Sequence, residues 1–134
     1  MGIKVNGKII VETYRDEIRT IIKEGVNKGF RVPSIKTILV GEDGGSLSYV
    51  KSQNNLCNKL GISYTCIQLA KDISQKDIID VVEKYNEDTS VDGIIIQLPL
   101  PKNLNEKEIT SKISYKKDID GLTDVNMGRF YKGD

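Results

Sequence analysis

Residues 92–99, Asp92-Gly93-Ile94-Ile95-Ile96-Gln97-Leu98-Pro99, decide how this chain folds. Three consecutive isoleucines after Asp-Gly have the pattern of a parallel strand buried on both faces. A polar amide, Gln97, appears where the run ends, and Pro99 and Pro101 follow within four residues. Proline cannot donate a ladder hydrogen bond, so Pro99 closes the strand, predicted over 93–97. Ligands of open α/β sheets bind just beyond the carboxyl ends of strands. Gln97 therefore stands where a binding or catalytic side chain is wanted. The same residues also read as a plain strand end with a proline-stiffened loop.

Upstream, Ile10, Tyr14, Ile18, Ile21, Ile22 and Val26 recur at helical spacing, predicting a helix over 8–28 with Gly29 as its stop. A strand over 35–40 leads into the turn 41–46, and a helix over 46–60 ends at Gly61. A second strand over Ser63–Leu69 alternates at Tyr64, Cys66 and Gln68, an edge pattern. Ser74-x-x-Asp77 resembles a capping box opening a helix with Ile78, Ile79, Val82 and Tyr85 inward. Asn105 caps a short helix after the prolines, and the tail 117–134 shows no clear period. This alternation predicts a three-layer α/β domain, a mostly parallel sheet flanked by helices. Residues 122–134 read as a chain leaving that domain.

Composition narrows the function. With 134 residues there is room for one domain. Lys+Arg of 20 against Asp+Glu of 19, without a one-sign block, argues against a nucleic-acid surface. No apolar run approaches the roughly 18 residues of a membrane span. The start, Met1 to Lys8, lacks a signal-peptide core, and Asn6 departs from the myristoylation pattern. Cys57 and Cys66, with no histidine anywhere, make a poor metal set, so no metal is expected and two free thiols suit a reducing, cytoplasmic setting. Imidazole bases and the usual triads are excluded.

Each strand end offers a candidate. The turn Gly41-Glu42-Asp43-Gly44-Gly45-Ser46 lies where a phosphate loop would, but it lacks Gly-Lys-Ser/Thr and its carboxylates repel phosphate. Tyr49, one turn into the next helix, reads equally as core or as a ring that stacks on a flat heterocycle. Asp118 and Asp120 are ordinary turn residues, or carboxylates that accept paired hydrogen bonds from an amidine-like edge.

Together these pieces resemble the amino-terminal, folate-binding domain of methylenetetrahydrofolate dehydrogenase/methenyltetrahydrofolate cyclohydrolase, the FolD-type enzymes. The resemblance rests on Leu39-Val40-Gly41 with Ser48-Tyr49-Val50, on Gly61-Ile62, and on Asp92 through Pro101. It rests also on Lys117-Asp118-Ile119-Asp120-Gly121 with Asn126 and Gly128, and it covers essentially the whole chain, residues 1–134. It implies that Tyr49 stacks over the folate rings, that Gln97 joins the catalytic network, and that Asp120 anchors the pterin. Leu98, Pro99, Leu100 and Pro101 would line the cleft. It further implies a tetrahydrofolate substrate, NADP or NAD held in a Rossmann-type domain missing from this chain, and a homodimer.

Two departures stand out. The family's motif places a lysine four residues after the tyrosine, and here that position is Gln53. Lys51 is no ready replacement, since two residues turn it about 200° around a helix from Tyr49. Glutamine can hydrogen-bond but neither carries charge nor titrates. The resemblance therefore implies catalytic roles for Gln53 and Gln97 in a dehydrogenase whose cyclohydrolase step is impaired. Second, no G-x-G-x-x-G or Pro-Gly-Gly segment occurs, so no cofactor-binding residue is expected in this chain and turnover of NAD(P) by it alone is not. The rival reading is a non-catalytic folate-binding or interaction domain.

Overall fold

The isoleucine run forms the strand it predicts, Gly93–Ile96, with all four residues buried. The computed structural model describes residues 2–134, and Met1, at the head of the amino-terminal stretch read above, lies outside the described residues. In chain order the elements are α1 (Gly7–Asn27), β1 (Ser34–Val40), α2 (Gly44–Leu60), β2 (Ser63–Leu69), α3 (Gln75–Glu87), β3 (Gly93–Ile96), α4 (Glu106–Ser111) and α5 (Asp124–Lys132). The three strands are parallel in the order β2-β1-β3. The expected α/β architecture is present, with the edge position of β2 included.

Register fixes what each face of the sheet carries. Thr37 lies opposite Cys66 on β2 and Ile95 on β3, and Ile35 lies opposite Tyr64 and Gly93. Because side chains alternate along a strand, all of these share one face with Leu39. The other face bears Ile38, Val40, Ile94 and Ile96, packed with Ile78 and Val82 of α3 and with Leu100, Leu104 and Ile109 into the main core. Lys117 ties the end of α3 to this body, its Nζ donating to the carbonyls of Tyr85 and Asp88 at 2.8 and 2.7 Å. At the amino end of the sheet, Arg31 makes a two-pronged pair with Asp92, which also accepts from the Ser34 N–H.

Several expectations need correction. α2 begins at Gly44, two residues early, because the Asp43 side chain accepts from the Ser46 N–H at 2.9 Å and caps the helix there. β3 stops at Ile96, leaving Gln97 just beyond it, although the Gln97 N–H still donates to the Ile38 carbonyl. The tail is not structureless. Thr123 caps α5, its hydroxyl oxygen accepting from the Asn126 N–H, and Gly133 ends it in the left-handed conformation. Finally, α1 buries none of its residues, so the apolar face read from its spacing stays largely exposed.

Candidate functional site

All three strands of the sheet deliver loops to its carboxyl edge. After β1, Gly41 turns the chain at φ +83° into the Asp43 cap of α2. That helix start is filled by the protein's own carboxylate, and the Ser46 N–H, then the Ser46 hydroxyl and, least, the Gly45 N–H hold Asp43 below the usual carboxylate range. A pyrophosphate does not fit against such an anion, so this turn is not a phosphate cradle. After β3 the Leu98–Pro99 peptide is cis, and the Leu100 N–H donates to Glu106 at 2.7 Å. This bond, which the sequence did not reveal, pins the proline segment. Pro99, Leu100 and Pro101 line a concavity of about 390 Å³ together with Gly41, Glu42 and Lys71.

Leu98, Tyr49, Gln53, Gln97 and Asp120 do not belong to the lining of that concavity, and Gln53 lies against the Thr37 face of the sheet. Tyr49 is 59% exposed, so the core reading of its ring is excluded. One turn on, Gln53 is half-buried, and its Oε1 accepts from the Tyr64 hydroxyl at 2.7 Å and from the Thr37 hydroxyl at 3.5 Å. Gln97 occupies the position after β3 that continues the Thr37–Ile95 face, and its Nε2 donates to the Leu98 carbonyl at 3.1 Å. Lys51 lines a shallow concavity with Leu47, Asn54, Tyr64 and Cys66, a lining that does not include Tyr49, as the helix angle predicts. Burial pushes the Cys57 and Cys66 thiols up, which disfavours thiolate and fits unreactive free cysteines.

The two aspartates of 117–121 divide the work. Ile94 forms a parallel bridge with Asp118, so this segment runs beside β3 as a short extension of the sheet. Ile119 packs so closely over Gly93 that a Cβ added there would meet it at 3.0 Å. Asp118 is buried and accepts from the Leu122 N–H, the Thr123 N–H and Asn126 Nδ2, at 3.1, 2.8 and 3.0 Å. Desolvation, its largest single influence, raises the Asp118 carboxyl, but the combined donors led by Thr123 outweigh it and the net shift is downward. Asp120 has the opposite character. It reaches solvent, yet partial desolvation and, second, the Asp118 charge push its carboxyl up. Among the described residues Asp120 accepts no hydrogen bond from the protein, so its oxygens are available to a ligand.

A stability test follows for Asp118. A carboxyl lowered on folding contributes stability above its unfolded pKa of about 3.9, and that contribution is lost as pH falls through the still lower native value. Asp118→Ala should cost about 2 kcal/mol at neutral pH by leaving buried donors unpaired. It should also flatten the acid limb of a urea-denaturation series, and an unchanged limb would remove Asp118 as the anchor of this loop.

Comparison with known proteins agrees with the architecture. The family model described as tetrahydrofolate dehydrogenase/cyclohydrolase, catalytic domain, matches residues 5–120. The bifunctional protein FolD of Clostridium tetani is 48% identical over 134 residues, covering 100% of this chain and 48% of that protein. The crystal structure of the bifunctional methylenetetrahydrofolate dehydrogenase/cyclohydrolase from Campylobacter jejuni superposes with a TM-score of 0.91 at 31% identity, covering 95% of this chain and 45% of that one. A 5,10-methylenetetrahydrofolate dehydrogenase from the silkworm, Bombyx mori, gives a TM-score of 0.91 at 35% identity, covering 96% and 44%. The chain thus spans about half the length of the curated relatives it matches, and it belongs to the tetrahydrofolate dehydrogenase/cyclohydrolase catalytic-domain family.

Proposed function

We propose that this chain is the folate-binding half of a 5,10-methylenetetrahydrofolate dehydrogenase of one-carbon metabolism, with impaired methenyltetrahydrofolate cyclohydrolase activity. The observation that carries the reading is the α2 face. An exposed aromatic ring, Tyr49, stands one helical turn from a neutral amide, Gln53, where the family resemblance calls for a lysine. Tyr49 stacks on the folate rings, Asp120 accepts hydrogen bonds from the pterin edge, and Gln97 with Gln53 forms a polar floor beneath the one-carbon bridge. Leu98, Pro99, Leu100 and Pro101 supply an apolar wall. The nicotinamide cofactor, NADP or NAD, is held by residues outside this chain, and the assembled enzyme is a homodimer.

Positioning suffices for much of this chemistry. A methylene carbon held in near-attack geometry needs no titrating group from this half of the enzyme, whereas hydration of a methenyl carbon needs a proton carrier. Titration of the chain with 5-formyltetrahydrofolate, a stable reduced folate, tests the binding role. Tyr49→Ala should weaken it by about 1–2 kcal/mol through lost stacking. Equal affinity in the variant would take Tyr49 out of the site. The neutral amide at 53 also favours a second reading, a folate-binding module without catalysis. Absence of hydride transfer in a polypeptide that joins this chain to a nicotinamide-binding domain would select that alternative.

A further inference from the structure

Resting on the folate reading above, we infer that Tyr64 is a positioning residue for Gln53. It holds the carboxamide oxygen toward the sheet and turns the NH₂ toward the ligand, so that position 53 reads a hydrogen-bond acceptor on the substrate, a carbonyl oxygen or ring nitrogen.

The two ends of a carboxamide have nearly the same shape and opposite hydrogen-bonding character, so the direction of the bond from the Tyr64 hydroxyl, a group able to donate or accept, decides which end faces the ligand. Here the partners sit on one side. Tyr64 of β2 donates its hydroxyl to Gln53 Oε1 at 2.7 Å, and the fully buried Thr37 hydroxyl of β1 lies 3.5 Å from the same oxygen. Gln53 Nε2 has no partner among the described residues, which leaves both its hydrogens for a ligand. Burial pushes the Tyr64 phenol up, so it stays protonated and a donor at neutral pH. Tyr64 belongs to an edge strand and is half-buried beneath α2, a position suited to orienting a helix side chain without touching the substrate.

The test removes one oxygen atom. In the free, ¹⁵N-labelled chain the Gln53 side-chain NH₂ resonances are identified by their loss in Gln53→Ala. Tyr64→Phe should shift or broaden them. Unmoved resonances overturn the inference whether or not folate binds. In titrations with 5-formyltetrahydrofolate, Tyr64→Phe should weaken binding about fivefold, the worth of one neutral hydrogen bond. In the Gln53→Ala background the same substitution should change nothing further. Equal losses in both backgrounds would show that Tyr64 acts by packing and would overturn the positioning role. No binding by the unmodified chain, with the amide resonances still moved by Tyr64→Phe, would overturn the folate reading and the donor role while leaving the Tyr64–Gln53 pair in place.

Discussion

Gln53→Lys is expected to raise methenyltetrahydrofolate hydrolysis by about 10²–10⁴-fold, the usual worth of a positioned acid–base group, in a polypeptide that also carries a nicotinamide-binding domain. The structure makes the exchange tolerable. An ammonium at position 53 meets two hydroxyl oxygens, those of Tyr64 and Thr37, where the carboxamide oxygen now accepts from both. Hydroxyls both donate and accept, so they can turn to receive the new N–H groups. The cation would stand on the flank of α2 that carries Tyr49, one turn away, where Lys51 is not. Dehydrogenase activity should change far less, because hydride transfer asks for geometry rather than a titrating group from this helix. Vigorous hydrolysis by the unmodified protein would sink the idea. So would a Gln53→Lys variant with intact hydride transfer and no hydrolysis.

How much of this was legible in the sequence differs by element, and for physical reasons. The Ile94-Ile95-Ile96 run announces a strand shielded on both faces, and β3 is that strand. Ser74, Asn105 and Gly61 mark helix ends through chemistry local to a few residues, and each does so in the structure. α5 escaped because its apolar residues, Val125, Met127, Phe130 and Tyr131, are all exposed and its start depends on a single threonine cap. α1 shows the converse. Its spacing made the helix legible while giving no information about whether the face it describes is covered, and here Tyr14 and Ile21 remain 62% and 68% exposed.

The candidate site divides in the same way. Tyr49, Gln97 and Asp120 were picked out by type and by position in recognisable motifs. The residues that hold such groups in place were not, because they meet them only through folding. Tyr64 lies 11 residues from Gln53, on another element. Glu106 reaches back to Leu100 across the proline segment. Asp118 looked like the twin of Asp120, and nothing in a two-residue spacing says which carboxylate faces inward. The short parallel bridge to Ile94 decides it, turning Asp118 into the buried hub of the loop.

That division makes Asp120→Asn the sharpest probe of the ligand itself. The variant should lose about 100-fold in affinity for 5-formyltetrahydrofolate, roughly 3 kcal/mol, the scale of hydrogen bonds that a charged acceptor makes with paired donors. A carboxylate offers two acceptors to such an edge, while an amide sets a donor against one of them. The fold should be unaffected, since Asp120 accepts no hydrogen bond from the described residues. The dependence on pH supplies an independent check. Partial desolvation and the neighbouring Asp118 charge raise the Asp120 carboxyl, so the native protein holds that proton more tightly than the unfolded chain does. Ionisation of Asp120 therefore costs stability as pH rises through the raised value, and a ligand that donates to the carboxylate reverses the cost. Affinity should accordingly begin to fall, as pH is lowered, at values above the ordinary carboxylate range near 3.9, and this fall should be missing in Asp120→Asn. A variant that binds as tightly as the unmodified chain, or that keeps the same acid-side loss, would place the pterin edge on some other acceptor.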